Sequence, residues 1–459
     1  MSTPPASILR RLGLDRPALR AWALYDWANS AFVLVIITAV FPVYYRQVAA
    51  NGIDGARADF WFSLVTSMTL VLVALLAPVL GALGDFLGRR KALLAIFLSL
   101  GVAASAGLAL VQEGDWTLAL VLFAIGNLGV ATSFVFYDAL LPHIARGDEL
   151  DRVSTAGYAL GYLGSGLLLI VDLAAIQRPA LFGLANSGLA TRLSFLSVAL
   201  WWALFSLPLF RRVPEPPRRI ESDERAAAMA AVAATFSRLG ETFHELSTGY
   251  REAFKLLIAV LIYNDGIGTI IRMASIYAAS RGLPNQHIIG AILLVQFVGI
   301  PFAFLFGALA GRIGAKRSIL LALVVYTGIS ILAYRMQTVQ EFYLLAILVG
   351  MVQGGAQALS RSLFAAMIPK HKASEFFGFF AVFEKFAGIL GPLVFTLMIG
   401  FTGSSQKAIL SVIAFFALGG FLLSRVDVEA GGRLAREIDA RLLGDALEEP
   451  GPTPRVSGT

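Results

Sequence analysis

Long apolar runs alternate with short polar punctuation along this chain. Twelve runs reach or approach the roughly 20 residues that a helix needs to cross a hydrocarbon core of about 30 Å. They are Trp22–Tyr45, Phe60–Gly84, Ala92–Val111, Trp116–Leu140, Val153–Val171 and Leu193–Phe210, then Ala253–Ala278, Ile288–Ala310, Ser318–Tyr334, Phe342–Phe364, Phe376–Gly400 and Ala408–Leu423. None shows the two-residue alternation of a barrel strand. The first run is too long for a cleavable signal peptide and carries Asp26. The pattern predicts an all-α integral membrane protein with twelve transmembrane helices in two six-helix halves.

Composition closes the alternatives. Of 459 residues, 57% are hydrophobic and 15% charged, and mean hydropathy is +0.75. That is too apolar for a water-facing surface or for disorder. With no cysteine, disulfide frameworks and sulfur-ligated zinc are excluded. The net charge of +7 raises nucleic acid as a partner, but its distribution argues otherwise. Loops on the side of the termini hold 26 basic residues and loops on the other side hold 7. Basic excess marks cytoplasmic loops. Both termini are therefore expected in the cytoplasm of a cell whose inner (plasma) membrane holds the protein, and nucleic acid is not an expected partner.

The expected organisation is an N-tail (1–21), a six-helix half (22–210), a cytoplasmic connector (211–252), a second half (253–424) and a charged tail (425–459). Prolines in Arg211–Arg219 forbid a continuous helix there. Glu224–Leu246 reads as an amphipathic helix at the membrane surface. The stretch Glu448–Pro454 reads as disordered.

A repeat supports the two halves. Gly81-Ala-Leu-Gly-Asp85-Phe-Leu-Gly88-Arg89-Arg90-Lys91 follows span 2, and Gly307-Ala-Leu-Ala-Gly311-Arg312-Ile-Gly314-Ala-Lys316-Arg317 follows span 8, an offset of 226. Leu141-Pro142 and Ile368-Pro369 repeat at 227. Matched features at one spacing indicate parallel structural repeats. The first loop closely resembles the cytoplasmic signature loop of the major facilitator superfamily, with Phe86 where a base is usual. The resemblance implies the major facilitator fold and a cytoplasmic gate formed by Asp85, Gly88, Arg89 and Arg90. The second copy lacks the aspartate.

Charges in spans are costly, at least about 2.5–3.5 kcal/mol each on insertion scales, and mark functional sites. The chosen limits leave Asp26, Asp138, Asp265 and Glu384 with Lys255, Arg272, Arg361 and Lys385, on spans 1, 4, 7, 10 and 11. In the facilitator fold, spans 1, 4, 7 and 10 line the central cavity. At 1.5 Å per residue, Asp265, Glu384 and Lys385 fall near the midplane, with Arg272 two turns beyond Asp265 on the same face. Asp26 and Arg361 sit near the cytoplasmic ends, where a gate pair is the alternative to a substrate role. Lys255 reads as a snorkelling residue and Asp138 as a helix-end cap. Tyr25-Asp26-Trp27-Ala28-Asn29-Ser30 puts Asp26, Asn29 and Ser30 on one stripe. This segment, with Phe41-Pro42-Val43-Tyr44-Tyr45 and Tyr263-Asn264-Asp265-Gly266, looks like the facilitator branch that includes the yeast vacuolar amino-acid effluxer of autophagy.

The residues expected to bind substrate or couple transport are Tyr25, Asp26, Asn29, Ser30, Tyr263, Asn264, Asp265, Arg272, Arg361, Glu384 and Lys385. A zwitterion's carboxylate would take Lys385 and its ammonium an acid, and a proton would neutralise Asp265 or Glu384. Gly157, Gly161 and Ser165 follow a helix-packing spacing, and Gly161–Gly166 lacks the strand a nucleotide loop needs. His143 and His371 follow the repeated prolines as loop residues rather than metal ligands. No catalytic residue, metal or cofactor is expected. The resemblance implies a secondary active transporter that exports or exchanges a small-molecule substrate, neutral amino acids being a candidate, by alternating access. Protons are the candidate coupling ion, and a monomer in the lipid bilayer is expected. A proton-coupled sugar or drug transporter, a passive facilitator and a non-transporting scaffold are the alternatives.

Overall fold

The computed structural model describes residues 8–216, 231–280, 284–388 and 390–448. Among them every regular element is a helix. Twelve are long and apolar enough to cross a membrane: Pro17–Ala49, Gly55–Leu87, Arg90–Leu108, Trp116–Ile144, Leu150–Gln177, Ser187–Arg212, Arg251–Arg272, Gln286–Ile313, Ala315–Arg335, Val339–Ala365, Lys370–Thr402 and Lys407–Ser424. They are called spans 1 to 12. Their outward faces carry exposed Val71, Leu75, Leu200, Leu204, Val324 and Leu344. Lipid tails solvate such faces, and helices satisfy their own backbone groups there.

Local chemistry sets the helix ends. The Asp54 carboxylate accepts from the Ala56 and Arg57 amides at the start of span 2. Thr338 and Glu341 cap span 10 reciprocally. Span 1 is not uniform: Phe32–Ala39 winds as a π-helix, and the Val40 amide donates to the Val35 carbonyl at 2.8 Å. Pro42, which has no amide proton, follows this wide turn. Span 11 is broken, with helices at Ala373–Phe386 and Leu390–Thr402. The single helix read over Phe376–Gly400 is corrected accordingly. Span 5 runs past the Val171 limit to Gln177 and encloses buried Asp172, whose carboxylate accepts from the Ser197 hydroxyl at 2.9 Å.

Span 2 packs on span 11, and span 5 on span 8. A two-fold relating span n to span n+6 converts one pair into the other, so the pairs are images of a single interface. The Lys91 ammonium donates to the Phe210 and Val213 carbonyls at the end of span 6. Lys316 does the same to Ser424 and Val426 at the end of span 12. Each lysine thus ties a signature loop to the free carbonyls of a helix terminus. Gly88 and Gly314 are 226 apart and the lysines 225, because Gly314 both ends span 8 and starts span 9. The second loop is one residue shorter than its sequence match implied.

Arg16 pairs with Glu149 in the 4–5 loop, and the Lys370 amide in the 10–11 loop donates to Asp439. Both chain ends therefore meet one face of the bundle, the terminal face. A connector helix, Ala231–Thr248, lies there. It is held by Lys372–Glu245 at 2.7 Å and by Thr242 donating to Glu375. The first seven residues expected in this helix lie outside the described residues. A helix not foreseen in the charged tail, Val428–Glu448, packs beside it against span 7 and the 10–11 loop. The expectation of disorder falls almost wholly outside the described residues.

Spans 2 and 11 touch backbone to backbone. A Cβ on Gly378 would stand 2.6 Å from the Ala77 carbonyl oxygen. Gly378→Ala is expected to lower the thermal midpoint of purified protein, since overpacking of this kind costs roughly 1–3 kcal/mol. Gly311→Ala, which meets open space, is expected to leave it unchanged. Equal midpoints for both variants would contradict the packing described.

Candidate functional site

The two halves enclose a cavity of about 470 Å³. Its lining runs from Asp26, Asp138 and Arg361 toward the terminal face to Thr38, Met336 and Phe342 toward the opposite one. Most of the wall is aliphatic. Its polar groups come from spans 1, 4, 5, 7, 8, 9, 10 and 11.

The floor is a charged cluster built across the halves. Arg361, on span 10, is 3% exposed. One terminal nitrogen donates to the Asp26 carboxylate of span 1 at 3.1 Å, and the other to Asp138 of span 4 at 3.1 Å. Its Nε donates to the Ser154 hydroxyl at 2.9 Å, and Nη2 also to the Ser154 carbonyl at 3.0 Å. The guanidinium lies over the Trp22 and Tyr158 rings, 4.7 Å from each centroid. Tyr137 donates from its hydroxyl to Asp26 at 2.9 Å. A guanidinium suits this place because its fixed fork binds two carboxylates and its flat face stacks on rings. Gly157 explains part of the small-residue stripe on span 5: a Cβ there would stand 2.4 Å from the Asp26 carboxylate. The sequence put Arg361 and Asp26 at the same depth but read Asp138 as a helix cap. Burial and its bond to Arg361 correct that reading.

Below the cluster, the signature loop closes the terminal face. The Asp85 carboxylate accepts from the Ser374 amide at 3.2 Å and the Glu375 amide at 2.8 Å, the unpaired first-turn amides of span 11. Arg90 pairs with Asp85 at 2.6 Å and donates to the Lys370 and His371 carbonyls. Gly88 takes the left-handed conformation, φ 61°, that ends span 2. Arg89 is exposed beside it. Asp151 adds another tie between halves, accepting from Ser362 at 2.6 Å.

Several expected cavity residues sit elsewhere. Asp265 is fully buried against the break in span 11, where its carboxylate accepts from the Gly391 amide at 2.8 Å. Arg272, exposed, donates to the Ala387 carbonyl at the other side of that break. The two bracket the broken helix instead of lining the cavity, because amides and carbonyls freed by the break need partners. Tyr263 is also buried, sharing a 2.6 Å hydrogen bond with Ser360. Tyr25 packs its ring on Tyr137. Asn29 is fully buried and lines no part of the cavity. Asp26, Ser30, Asn264, Arg361, Glu384 and Lys385 do line it.

Glu384 and Lys385 make no hydrogen bond or ion pair among the described residues, and as chain neighbours they point in different directions on their helix. Asp26, Asp138 and Arg361 are committed to one another. The sequence reading missed Gln353 and Gln357, which line the cavity one and two turns from Arg361; their four-residue spacing was the available signal. It also missed Tyr162 and Gln296, whose oxygens have no partner among the described residues.

Comparison with known proteins agrees with this architecture. The sequence profile of the family described as "Vacuole effluxer Atg22 like" matches residues 60–436. A Bacillus subtilis protein described as an uncharacterized MFS-type transporter, YxiO, is 36% identical over 91% of this chain and 96% of its own length. Autophagy-related protein 22 of Pyricularia oryzae is 23% identical over 90% of this chain and 76% of its own. Among solved structures, the proton:xylose symporter XylE superposes with a TM-score of 0.65 at 15% identity, covering 92% of this chain and 97% of that one. The human organic anion transporter MFSD10 gives 0.60 at 17%, covering 92% and 100%. These likenesses show the fold. With the profile match and the Bacillus relative, they establish that this chain is a multi-pass transporter of the major facilitator superfamily and belongs to its Atg22-like family.

Proposed function

We propose that the protein is a secondary active exporter that moves a small zwitterionic solute, of the neutral amino-acid class, by alternating access. The terminal face is the cytoplasmic one, in keeping with the basic loops there. The observation that carries the reading is the division of charges around the cavity. Arg361 and its two acids join the halves, whereas Glu384 and Lys385 face the same space with no ion pair among the described residues. A solute bearing both a carboxylate and an ammonium is the ligand that complements two such groups. The name of the Atg22-like family supports efflux.

Two closures lie between the cavity and the terminal face: the Arg361 cluster and the Asp85 loop. Both join one half to the other, so a rocking motion that opens this face must break both. The Arg361 cluster has two carboxylates to one guanidinium. A proton on Asp138, which receives only the one hydrogen bond from Arg361, would cancel the excess charge and loosen the floor. This supports the proposal that protons are the coupling ion.

The direct test is flux of amino acids in proteoliposomes with and without a pH gradient, after a screen of solutes for thermal stabilisation. No stabilisation by any zwitterion, with clear stabilisation by sugars, would replace the substrate class. Lys385→Ala and Glu384→Gln are each expected to weaken solute binding tenfold or more while the protein stays folded. Unchanged affinity in both removes them from the site.

Arg361→Ala leaves two carboxylates buried without a cation and is expected to cost about 3–5 kcal/mol of stability, read as a lowered thermal midpoint. Asp26→Asn combined with Arg361→Gln is expected to regain part of that loss. Reporter fusions in the connector are expected to report the cytoplasm, and an external signal there would overturn the orientation.

A further inference from the structure

The loop closure contains a group that the transport reading leaves unused. His143, in the last turn of span 4, places Nε2 2.8 Å from the Arg90 guanidinium nitrogen Nη1. A guanidinium has donors and no acceptor. Nε2 must therefore accept, which needs its lone pair. The imidazole is neutral in this arrangement, with its proton on Nδ1. A proton on Nε2 and the bond from Arg90 exclude each other, and a charged ring would also face the Arg90 cation.

Arg90 is the centre of the closure. Besides His143 it holds Asp85 on span 2 and the Lys370 and His371 carbonyls in the 10–11 loop. Asp85 in turn holds the amides of Ser374 and Glu375. The ionisable groups around His143 are thus Arg90, Asp85, Lys370, His371 and Glu375. Of these only the histidines have an ordinary pKa near neutrality, about 6.5. His371 meets Arg90 through its carbonyl; His143 meets it through the ring.

We propose that His143 is a proton-binding site that opens the terminal-face closure: the closed form holds its imidazole neutral, and protonation from that side favours the open form. The proposal rests on the reading that the Asp85–Arg90 loop opens during the transport cycle. The sign follows from the geometry. Only the open form takes the proton, so closure is fully favoured above the free imidazole's pKa and is lost as pH falls through it. Acid on the side to which the solute must be released or captured then changes how long that side stays shut. This device is separate from any coupling proton in the central cluster, because His143 lies beyond Asp138 toward the terminal face and bonds to the loop.

The absence of cysteine makes the test clean. Gly147→Cys in the 4–5 loop and Arg312→Cys in the last turn of span 8, both exposed and on opposite halves, carry a spin-label pair in purified full-length protein. The distance distribution is recorded from pH 8 to 5. Between pH 7.5 and 5.5 the ratio of closed to open populations is expected to fall roughly tenfold, the effect of one site with a free pKa near 6.5. His143→Gln keeps an acceptor for Arg90 without titrating, and its ratio is expected to stay constant over that range; His143→Asn serves if that variant does not fold. A flat profile in the unsubstituted protein, a midpoint below pH 5, or the same response with glutamine or asparagine at position 143 overturns the proposal. Asp85→Asn separates the two readings. If it opens the terminal face while pH does nothing, the loop is a gate and His143 is not its sensor. If it leaves the distances unchanged, the gate reading itself fails.

Discussion

A guanidinium buried between two bundles dictates the arrangement of the terminal half of this molecule. Arg361 is 3% exposed, so its charge needs carboxylates and its five N–H groups need acceptors. Asp26, Asp138 and Ser154 accept four hydrogen bonds from it, on spans 1, 4 and 5. The aromatic rings of Trp22 and Tyr158 cover its faces. Span 5 must come close enough to span 1 to complete the ring of partners, which a side chain at Gly157 would prevent. One residue from the second half thus organises three helices of the first.

The cluster and the loop beneath it close the same face by different chemistry. The cluster uses charge against charge in a low-dielectric setting, where each member is costly without the others. The loop uses one carboxylate against helix-start amides and one guanidinium against carbonyls. In the proposed alternating-access cycle, opening the face would admit water to both. The groups would then exchange protein partners for solvent rather than be stranded, which suits such contacts to being broken and remade. The aliphatic wall above has no such reversibility to provide and gives the cavity its shape.

The broken span 11 links the site to the scaffold. The first of its two helices presents Glu384 and Lys385 in its last turn, just before the break. Asp265 and Arg272 on span 7 partner backbone groups on either side of that break. Residues that resemble substrate ligands by depth and charge therefore support the helix that carries Glu384 and Lys385 from behind. Charge within a span singled out both, although Asp265 is buried and Arg272 exposed. Which side of the helix they served depended on where the neighbouring helix was interrupted.

Twelve spans, two halves and the repeated loops were legible in the sequence, because membrane crossing imposes a length and an apolar composition that a single chain displays openly; the cavity wall was legible only in part, since spans 5, 8 and 9 also line it. The signature loop was legible too as a local structure, since glycine, aspartate and base at set spacing form the Gly88 turn and the Asp85–Arg90 pair. Limits drawn from hydropathy cut span 5 short of Asp172 and missed the helix at Val428–Glu448, since a helix held by packing at the terminal face needs no apolar run. What only the tertiary structure decided is which buried charges meet. Asp138, Ser154 and Tyr137 reveal their roles when Arg361 arrives from 223, 207 and 224 residues away. Asp265 leaves the cavity because span 11 breaks beside it. Depth along one helix follows from counting residues; rotation about that helix, and the partner it finds, follows from packing eleven others around it.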